Sequence, residues 1–303
     1  MSSRKRPQER EHRPGYVYVV LVAGLLSISV SAILIRWASE APGETLAVWR
    51  TLFAAAMLAP FAVFKSRKEI ASFTMREGIL ITIAGIFLGL HFVTWISSLY
   101  FTSVASASVL VSLSPIFLAL AGLLFLNERP TRAEVWAIII ATLGTILLGY
   151  SDMNAHEHAG SNPLLGNTFA LSAALLVTVY LLIGRVIRQS RSWLAYVAPL
   201  YVVTAMTTFV VAWMRDVPLL GFEWEVYALC MAMAVVPQLM GHGALNFVVR
   251  YFPAATIGLA SLFEPIGASL LAFVFFSEVP TLLGIGAMAV ILLSVSLALF
   301  PRK

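Results

Sequence analysis

Glu264 is a carboxylic acid inside a segment that is otherwise apolar. Residues 261–267 read SLFEPIG, and the apolar run around them extends from Ala254 to Phe276. If this run is a helix that crosses a bilayer, Glu264 lies roughly 14 Å deep, since each residue adds about 1.5 Å. A carboxylate there must face a wet cavity, pair with a cation or donor, or be protonated. We therefore expect either a contact with a substrate or proton, or a buried structural role.

Two stripes of polar and aromatic residues at helical spacing lie in other apolar runs. The first contains His91, Trp95 and Ser98, followed by Tyr100, and the second contains Gln238, His242 and Asn246. Residues three or four apart share one face of a helix. A polar stripe that faces lipid is unfavourable, so both stripes should face the protein interior. They form either a hydrogen-bonded seam between helices or the lining of a cavity.

Three further acidic or basic residues lie nearer to the ends of apolar runs. Arg50 is close enough to one end to snorkel, and we expect it to reach the interface or to pair with Glu40 or Glu44; an anion contact is the alternative. Glu128 and Glu278 are each followed by x-Pro-Thr. Because Pro is tolerated in a first helical turn and acids are favoured near helix N-termini, both glutamates are expected to serve loops and caps.

The composition of the chain fits a polytopic membrane protein. Of 303 residues, 60% are hydrophobic and 12% are charged, whereas soluble domains have about 25% charged residues. The net charge of +5 comes from scattered basic residues, which argues against a nucleic-acid-binding surface. The single cysteine, Cys230, excludes an intrachain disulfide.

Ten apolar segments are long enough to be transmembrane helices. They are residues 16–37, 44–64, 79–100, 104–126, 133–150, 165–187, 193–214, 226–248, 255–276 and 281–300. Most Lys and Arg residues lie in the N-terminal tail and in alternate gaps between these segments. The positive-inside rule then places both termini in the cytoplasm, as for a multi-pass protein of the cytoplasmic (inner) membrane.

The sequence contains an internal repeat. Residues 112–131, SLSPIFLALAGLLFLNERPT, align with residues 262–281, LFEPIGASLLAFVFFSEVPT, so that Pro115 meets Pro265. A matched pair of prolines predicts two bent helices beside a central space. Two units of five helices each must cross the membrane in opposite senses, an arrangement found in secondary transporters. The expected fold is an all-α integral membrane protein with ten transmembrane helices in two inverted five-helix repeats.

This pattern divides the chain into four parts. Residues 1–14 form a basic cytoplasmic tail and 15–150 the first repeat, while 151–164 form an extracytoplasmic loop and 165–300 the second repeat. The loop contains His156, Glu157 and His158, which could suggest a metal site, but we expect a solvated loop.

The repeated motif resembles the drug/metabolite transporter superfamily, in particular its EamA-type members. The resemblance is carried by residues 101–131, by 257–281 and by LAVWRTLFAAAMLAP at 46–60. It implies two five-helix repeats, cytoplasmic termini and export of amino acids or other metabolites.

The residues and the resemblance together predict a secondary transporter that exports small metabolites, in particular amino acids with aromatic or apolar side chains, by alternating access. We expect the substrate to contact His91, Trp95, Ser98, Tyr100, Tyr180, Gln238, His242, Asn246, Phe263 and Glu264, with Pro115 and Pro265 as helix bends or gates. Proton coupling through Glu264 or His91, or facilitated diffusion, remains open. An uptake carrier or a channel is the alternative, and no motif of an intramembrane enzyme is present.

The expected partners are a small-molecule substrate and the lipid bilayer, with neither nucleic acid, metal nor cofactor. We expect a monomer or a weak homodimer.

Overall fold

The computed structural model describes residues 14–102, 104–155, 161–277 and 279–299, and this part of the chain is helical without any strand. Its first half contains α1 (Gly15–Ser29), α2 (Ser31–Trp37), α3 (Gly43–Lys65), α4 (Arg67–Ala71), α5 (Met75–Phe101), α6 (Val104–Val111), α7 (Ser114–Leu126) and α8 (Arg132–Ala155). Its second half contains α9 (Pro163–Ile187), α10 (Trp193–Met214), α11 (Trp224–Met233), a π-helix π1 (Ala234–His242), α12 (Gly243–Val248), α13 (Ala254–Ser261), α14 (Phe263–Phe276) and α15 (Leu282–Leu299).

Nine helical segments of the described chain are long and apolar enough to cross a membrane. They are Gly15–Trp37, Gly43–Lys65, Met75–Phe101, Ser106–Leu126, Arg132–Ser151, Pro163–Ile187, Trp193–Met214, Trp224–Val248 and Ala254–Phe276. A tenth apolar segment, Leu282–Ser296, is shorter. We number the nine segments as spans one to nine in chain order and refer to the shorter one as the tenth segment. The prediction of a multi-pass helical membrane protein is therefore confirmed.

Local sequence signals determine where several helices begin. Thr74 and Glu77 form a reciprocal capping box at the start of α5, with Thr74 N donating to Glu77 Oε2 at 2.8 Å. Asn162 caps α9, and Pro163 follows at the first position, where its missing N–H has no intrahelical role. Ser192 accepts from a backbone N–H to cap α10. These caps satisfy donors that a helix start otherwise leaves free.

Small residues allow the helices to approach closely. Gly85 and Gly89 of α5 face α10, where an added Cβ would lie 2.6 Å from Val203 and 2.8 Å from Thr207. This GxxxG pair therefore lets α5 and α10 pack closely. Such contacts replace the hydrophobic driving force that is absent between helices in lipid.

The spans pack around a shared interior. Helix α5 packs against α9 and α10, α3 packs against α10, and α8 packs against α15. Helix α1 contacts π1 and α14, while α7 contacts α13. Large apolar side chains such as Phe64, Trp136 and Leu293 are exposed on the outside, as expected for a surface that faces lipid.

Candidate functional site

The fourth and ninth spans are interrupted near their middles. Helix α6 ends at Val111 before α7 begins at Ser114, and α13 ends at Ser261 before α14 begins at Phe263. Pro115 and Pro265 lie in the first turns of α7 and α14. A proline is tolerated there because the first-turn N–H groups have no partner within the helix. The two halves of the chain therefore contain matching helix breaks.

A small cavity lies at these breaks and is bounded by both halves of the chain. It has a volume of about 50 Å³, enough for a few water molecules but far below the roughly 300–1,000 Å³ of typical ligand pockets. A metabolite can therefore bind only if the cavity widens. Its lining residues are Leu25, Ile28, Ser31, Arg50, His91, Phe92, Trp95, Val111, Ser112, Ser114, Val177, Leu181, His242, Leu245, Ser261, Leu262 and Glu264.

Arg50 points into this cavity, and the expectation that it snorkels to the interface is wrong. Its side chain is buried, with an exposed fraction of 1%. Nε donates to Gln238 Oε1 at 2.9 Å and Nη1 to Ser31 Oγ at 3.3 Å. The guanidinium carbon lies 4.2 Å from the centroid of the Phe92 ring, in the range of a cation–π contact.

The predicted partner of Arg50 is engaged elsewhere. Glu44 forms an ion pair with Arg215 from the second half of the chain. Thr45, one residue further on, donates to the carbonyl of Pro218 at 2.8 Å. These contacts connect α3 to the segment after α10. Glu44 therefore does not pair with Arg50, whose side chain lies in the interior.

Both predicted histidines lie on the cavity wall. His91 Nδ1 is 2.9 Å from the carbonyl oxygen of Ala173, and because a carbonyl only accepts, this nitrogen carries a hydrogen. His242 lies on π1, and its Nδ1 is buried without a hydrogen-bond partner among the described residues. The ring of Phe92 contacts His242 edge to face, with 4.9 Å between centroids. A π-helical turn often occurs at functional sites.

Glu264 and Trp95 also line the cavity, so four of the ten predicted contact residues reach it. Two residues after Pro265, Gly267 allows α14 to approach α1. An added Cβ at Gly267 would lie 2.2 Å from Ser29 Oγ and 2.6 Å from Ser29 Cβ. This close contact holds the Glu264 end of α14 against the first span.

The other predicted contact residues do not line the cavity. Gln238 holds Arg50, and its Nε2 has no hydrogen-bond partner in the described part of the chain. Tyr180 donates to Asn246 Oδ1 at 3.0 Å, and both are fully buried. Two of the remaining residues bond to backbone carbonyls: Ser98 donates to Trp95 O, and Tyr100 donates to Ala41 O. The last residue, Phe263, packs against the hydrophobic core.

Sequence reasoning missed Ser112 and Ser114 as cavity residues, although the pairing of Ser114-Pro115 with Glu264-Pro265 was visible in the repeat. It also gave Arg50 the wrong direction. The metal-site question at residues 156–158 lies outside the described residues. Among the residues that are described, no group of three or more His, Cys, Asp or Glu side chains could hold a metal ion.

A second polar cluster joins the two halves near the end of α7. Glu128 Oε1 accepts from Arg185 Nε at 2.9 Å, and Glu128 Oε2 accepts from Ala254 N at 3.0 Å. Arg185 Nη1 also donates to the carbonyls of Val249 and Arg250, at 3.0 and 2.6 Å. Glu128 thus caps α13 of the other half. We call Glu128, Arg185 and Ala254 the latch.

The next helix along the chain, α8, is capped by Thr131 and Glu134 instead of Glu128. The matching prediction for Glu278 lies outside the described residues.

The helices behind the latch are closely packed. A Cβ added at Gly258 of α13 would lie 2.6 Å from Pro115 Cα of α7. The other two helices of the broken spans, α6 and α14, do not pack in the same way. Helix α6 packs on α9 and α8, whereas α14 packs mainly on α1. The bundle is therefore closed at the latch end of the cavity.

Residues 14–150 match the sequence model of the EamA-like transporter family. The first half of the chain is therefore similar to this family. The match covers the first half, including Arg50, His91 and Pro115. It agrees with the resemblance carried by the repeated motif and with the helical membrane fold described above.

Two Pseudomonas aeruginosa proteins, both named pseudopaline exporter CntI and taken from two strains, are 26% identical over 293 residues. The alignment covers 92% of this chain and 95% of each relative. An uncharacterized transporter from Schizosaccharomyces pombe is 36% identical over 87 residues, 28% of this chain and 26% of that protein.

A solved crystal structure shares this fold. Its TM-score is 0.78 at 16% sequence identity, and the alignment covers 94% of this chain and 97% of the other. At that identity the similarity applies to the fold alone.

Proposed function

We propose that the chain is a secondary transporter that exports small metabolites, in particular amino acids with apolar or aromatic side chains, across the cytoplasmic (inner) membrane. The observation that carries this proposal is the polar cavity at the paired helix breaks, which both halves of the chain line. Transporters of this kind place their substrate site near the midplane, where discontinuous helices meet. The match of residues 14–150 to the EamA-like transporter family and the printed name of the CntI relatives support export.

The proposed architecture is two inverted five-helix repeats, residues 15–150 and 165–300. The pairing of the spans supports it. The third span packs on the sixth, and the eighth packs on the first. The second span packs on the seventh, and the fifth packs on the tenth segment. Exchanging each span with the one five places away leaves this set of pairs unchanged, as a two-fold relation requires.

Alternating access then requires that each end of the cavity can close in turn. The latch lies in the gaps that hold most of the basic residues, so the positive-inside rule assigns it to the cytoplasmic side. We propose that the latch breaks when the cavity opens to the cytoplasm. The breaks before Pro115 and Pro265 allow α7 and α13 to move separately from α6 and α14.

Within the cavity we propose that His91, Trp95, His242 and Glu264 contact the substrate directly. The remaining predicted residues, Ser98, Tyr100, Tyr180, Gln238, Asn246 and Phe263, position this lining from behind or become accessible when the cavity widens. Trp95 and Phe92 give the cavity an apolar wall that suits an apolar or aromatic side chain.

Counterflow in proteoliposomes tests this function. Vesicles loaded with an unlabelled amino acid from a panel of standard amino acids, or with pseudopaline, are diluted into the same labelled compound. We expect saturable accumulation of label above equilibrium for at least one compound. Flux that neither saturates nor shows counterflow supports the alternative of a channel and contradicts the proposal.

A pH series with Glu264→Gln distinguishes the coupling modes. If a proton moves through Glu264, the variant loses the pH dependence of uptake while exchange at fixed pH continues. Unchanged transport together with an unchanged pH dependence removes Glu264 from the mechanism. The oligomeric state, which we propose is a monomer or a weak homodimer, follows from light scattering on the same preparation.

A further inference from the structure

Arg50 is a buried cation that has no counter-ion in direct contact among the described residues. Its guanidinium has five N–H donors, of which two are used by Gln238 and Ser31. Three donors have no partner among the described residues, and no carboxylate of that part of the chain forms an ion pair with it. An unpaired buried charge is unfavourable. The cavity is where the remaining donors can find an acceptor.

Other polar atoms beside Arg50 also lack partners. His242 Nδ1 is on the cavity wall, and Gln238 Nε2 is on the residue that holds Arg50. Both atoms are buried and have no hydrogen bond to any residue that the structure describes. Buried polar groups are nearly always paired. Three adjacent side chains with free hydrogen-bonding capacity therefore indicate a site for a polar group that is brought in by a ligand.

Glu264 supplies the opposite charge on the same cavity. It extends from α14 of the second half, whereas Arg50 extends from α3 of the first half, and both line the space. Among the described residues the two side chains form no ion pair with each other. Both charges on this cavity are therefore available to a ligand that carries an acidic and a basic group.

We propose that Arg50 binds the carboxylate of a zwitterionic substrate and that Glu264 binds its ammonium group. A guanidinium fork matches a carboxylate bidentately, and the contact of Arg50 with Phe92 fixes the plane of the fork. This inference rests on the proposed transport function and narrows its substrate class. The substrate carries both an acidic and a basic group, and a metabolite that lacks either one binds poorly.

Thermal stabilisation of the detergent-solubilised full chain tests the assignment with defined probes. L-phenylalanine has both groups, its methyl ester lacks the carboxylate, and 3-phenylpropionate lacks the ammonium. L-leucine, its methyl ester and 4-methylpentanoate form a second set. We expect the zwitterions to bind about 10- to 100-fold more tightly than their analogues, the range that corresponds to loss of a hydrogen bond to a charged group.

Two variants separate the two ends of the site. Arg50→Gln should weaken binding of the zwitterion about 10- to 100-fold and leave it no tighter than the ester. Glu264→Gln should abolish the preference for the zwitterion over the deaminated acid and retain the preference over the ester. Ser27→Ala, which removes a 2.8 Å bond to the carbonyl of Ala23 within α1 at a position that does not line the cavity, is the matched control and should change affinity less than about threefold.

If Arg50→Gln is not monodisperse on gel filtration, Arg50→Lys provides the test. It retains the charge but loses the fork, so the zwitterion should bind more weakly than to the wild-type chain and still more tightly than the ester.

The inference is overturned if neither zwitterion stabilises the wild-type chain, or if Arg50→Gln retains the full preference for acid over ester. Counterflow with other compounds separates these outcomes from a failure of the transport function. A chain that exchanges an uncharged solute but binds no zwitterion is a transporter with a different substrate class. A chain that shows no exchange with any compound contradicts the proposed function itself.

Discussion

Glu128→Gln removes the charge of the latch with little change in shape. The Glu128–Arg185 pair is partly shielded, with side-chain exposed fractions of 14% for Arg185 and 21% for Glu128. Hydrogen bonds to charged groups contribute about 1.5–3 kcal/mol, and exposed ion pairs only about 0–1 kcal/mol. For this intermediate exposure we expect a loss of about 1–2 kcal/mol from the closed state, which corresponds to a factor of about 5–30 in its population.

Cysteine labelling measures this change. Ser261 lines the cavity, and Ser261→Cys in a Cys230→Ala background provides a single reactive thiol there. In inside-out vesicles a membrane-impermeant maleimide should label this cysteine about 5- to 30-fold faster when Glu128→Gln is also present.

The matched control is Glu77→Gln. Glu77 pairs with Arg191 at 2.6 Å with exposed fractions of 17% for both side chains, but this pair joins α5 to the start of α10 and does not border the cavity. Its loss should lower the melting temperature without faster labelling. Equal labelling rates in Glu128→Gln and Glu77→Gln would refute the reasoning that the latch closes the cavity.

Two further predictions concern the scaffold. Gly267→Ala places a Cβ 2.6 Å from Ser29 Cβ and should lower the free energy of unfolding by about 1–3 kcal/mol, which is visible as a lower melting temperature. Gly286→Ala, where an added Cβ meets no described neighbour within 4 Å, should change the melting temperature little. Equal effects of the two substitutions would contradict this packing. Partial burial raises the pKa of Glu69, but hydrogen bonds from Ser192 and nearby arginines outweigh it and hold the pKa below its usual 4.5. A carboxyl group with a depressed pKa stabilises the fold at pH values above its pKa in the unfolded chain. This stabilisation is lost as the pH falls through the pKa of the group in the folded chain. The melting temperature should therefore decline more steeply below pH 4.5 in the wild-type chain than in Glu69→Gln.

The sequence predicts the spans well because apolar length is a strong signal. It also places the Glu264 break correctly in relation to Pro265, since proline acts locally on the backbone. These features depend on residues that are close together in the chain, which is why they can be predicted without coordinates.

The direction of Arg50 could not be predicted in the same way. Its distance from the helix end allowed it to snorkel, and only the packing of α3 against π1 and α10 shows that it faces inward. The partners of Gln238 and Asn246 depend on the same packing between distant spans. The π-helical turn at residues 234–242 also changes the helical spacing on which the predicted stripe relied. Contacts between the two halves, such as Glu128 with Arg185 and Ala254, carry no local signal at all.

The measurement that tests alternating access most directly is transport through a chain whose latch is covalently closed. A Cβ at Gly122 would lie 3.4 Å from Ala254 Cβ, close to the roughly 3.5–4.5 Å of a disulfide. In a Cys230→Ala background, oxidation of the Gly122→Cys/Ala254→Cys pair should abolish counterflow, reductant should restore it, and either single variant should be insensitive to oxidant. Full exchange through the oxidised, cross-linked chain would contradict the account.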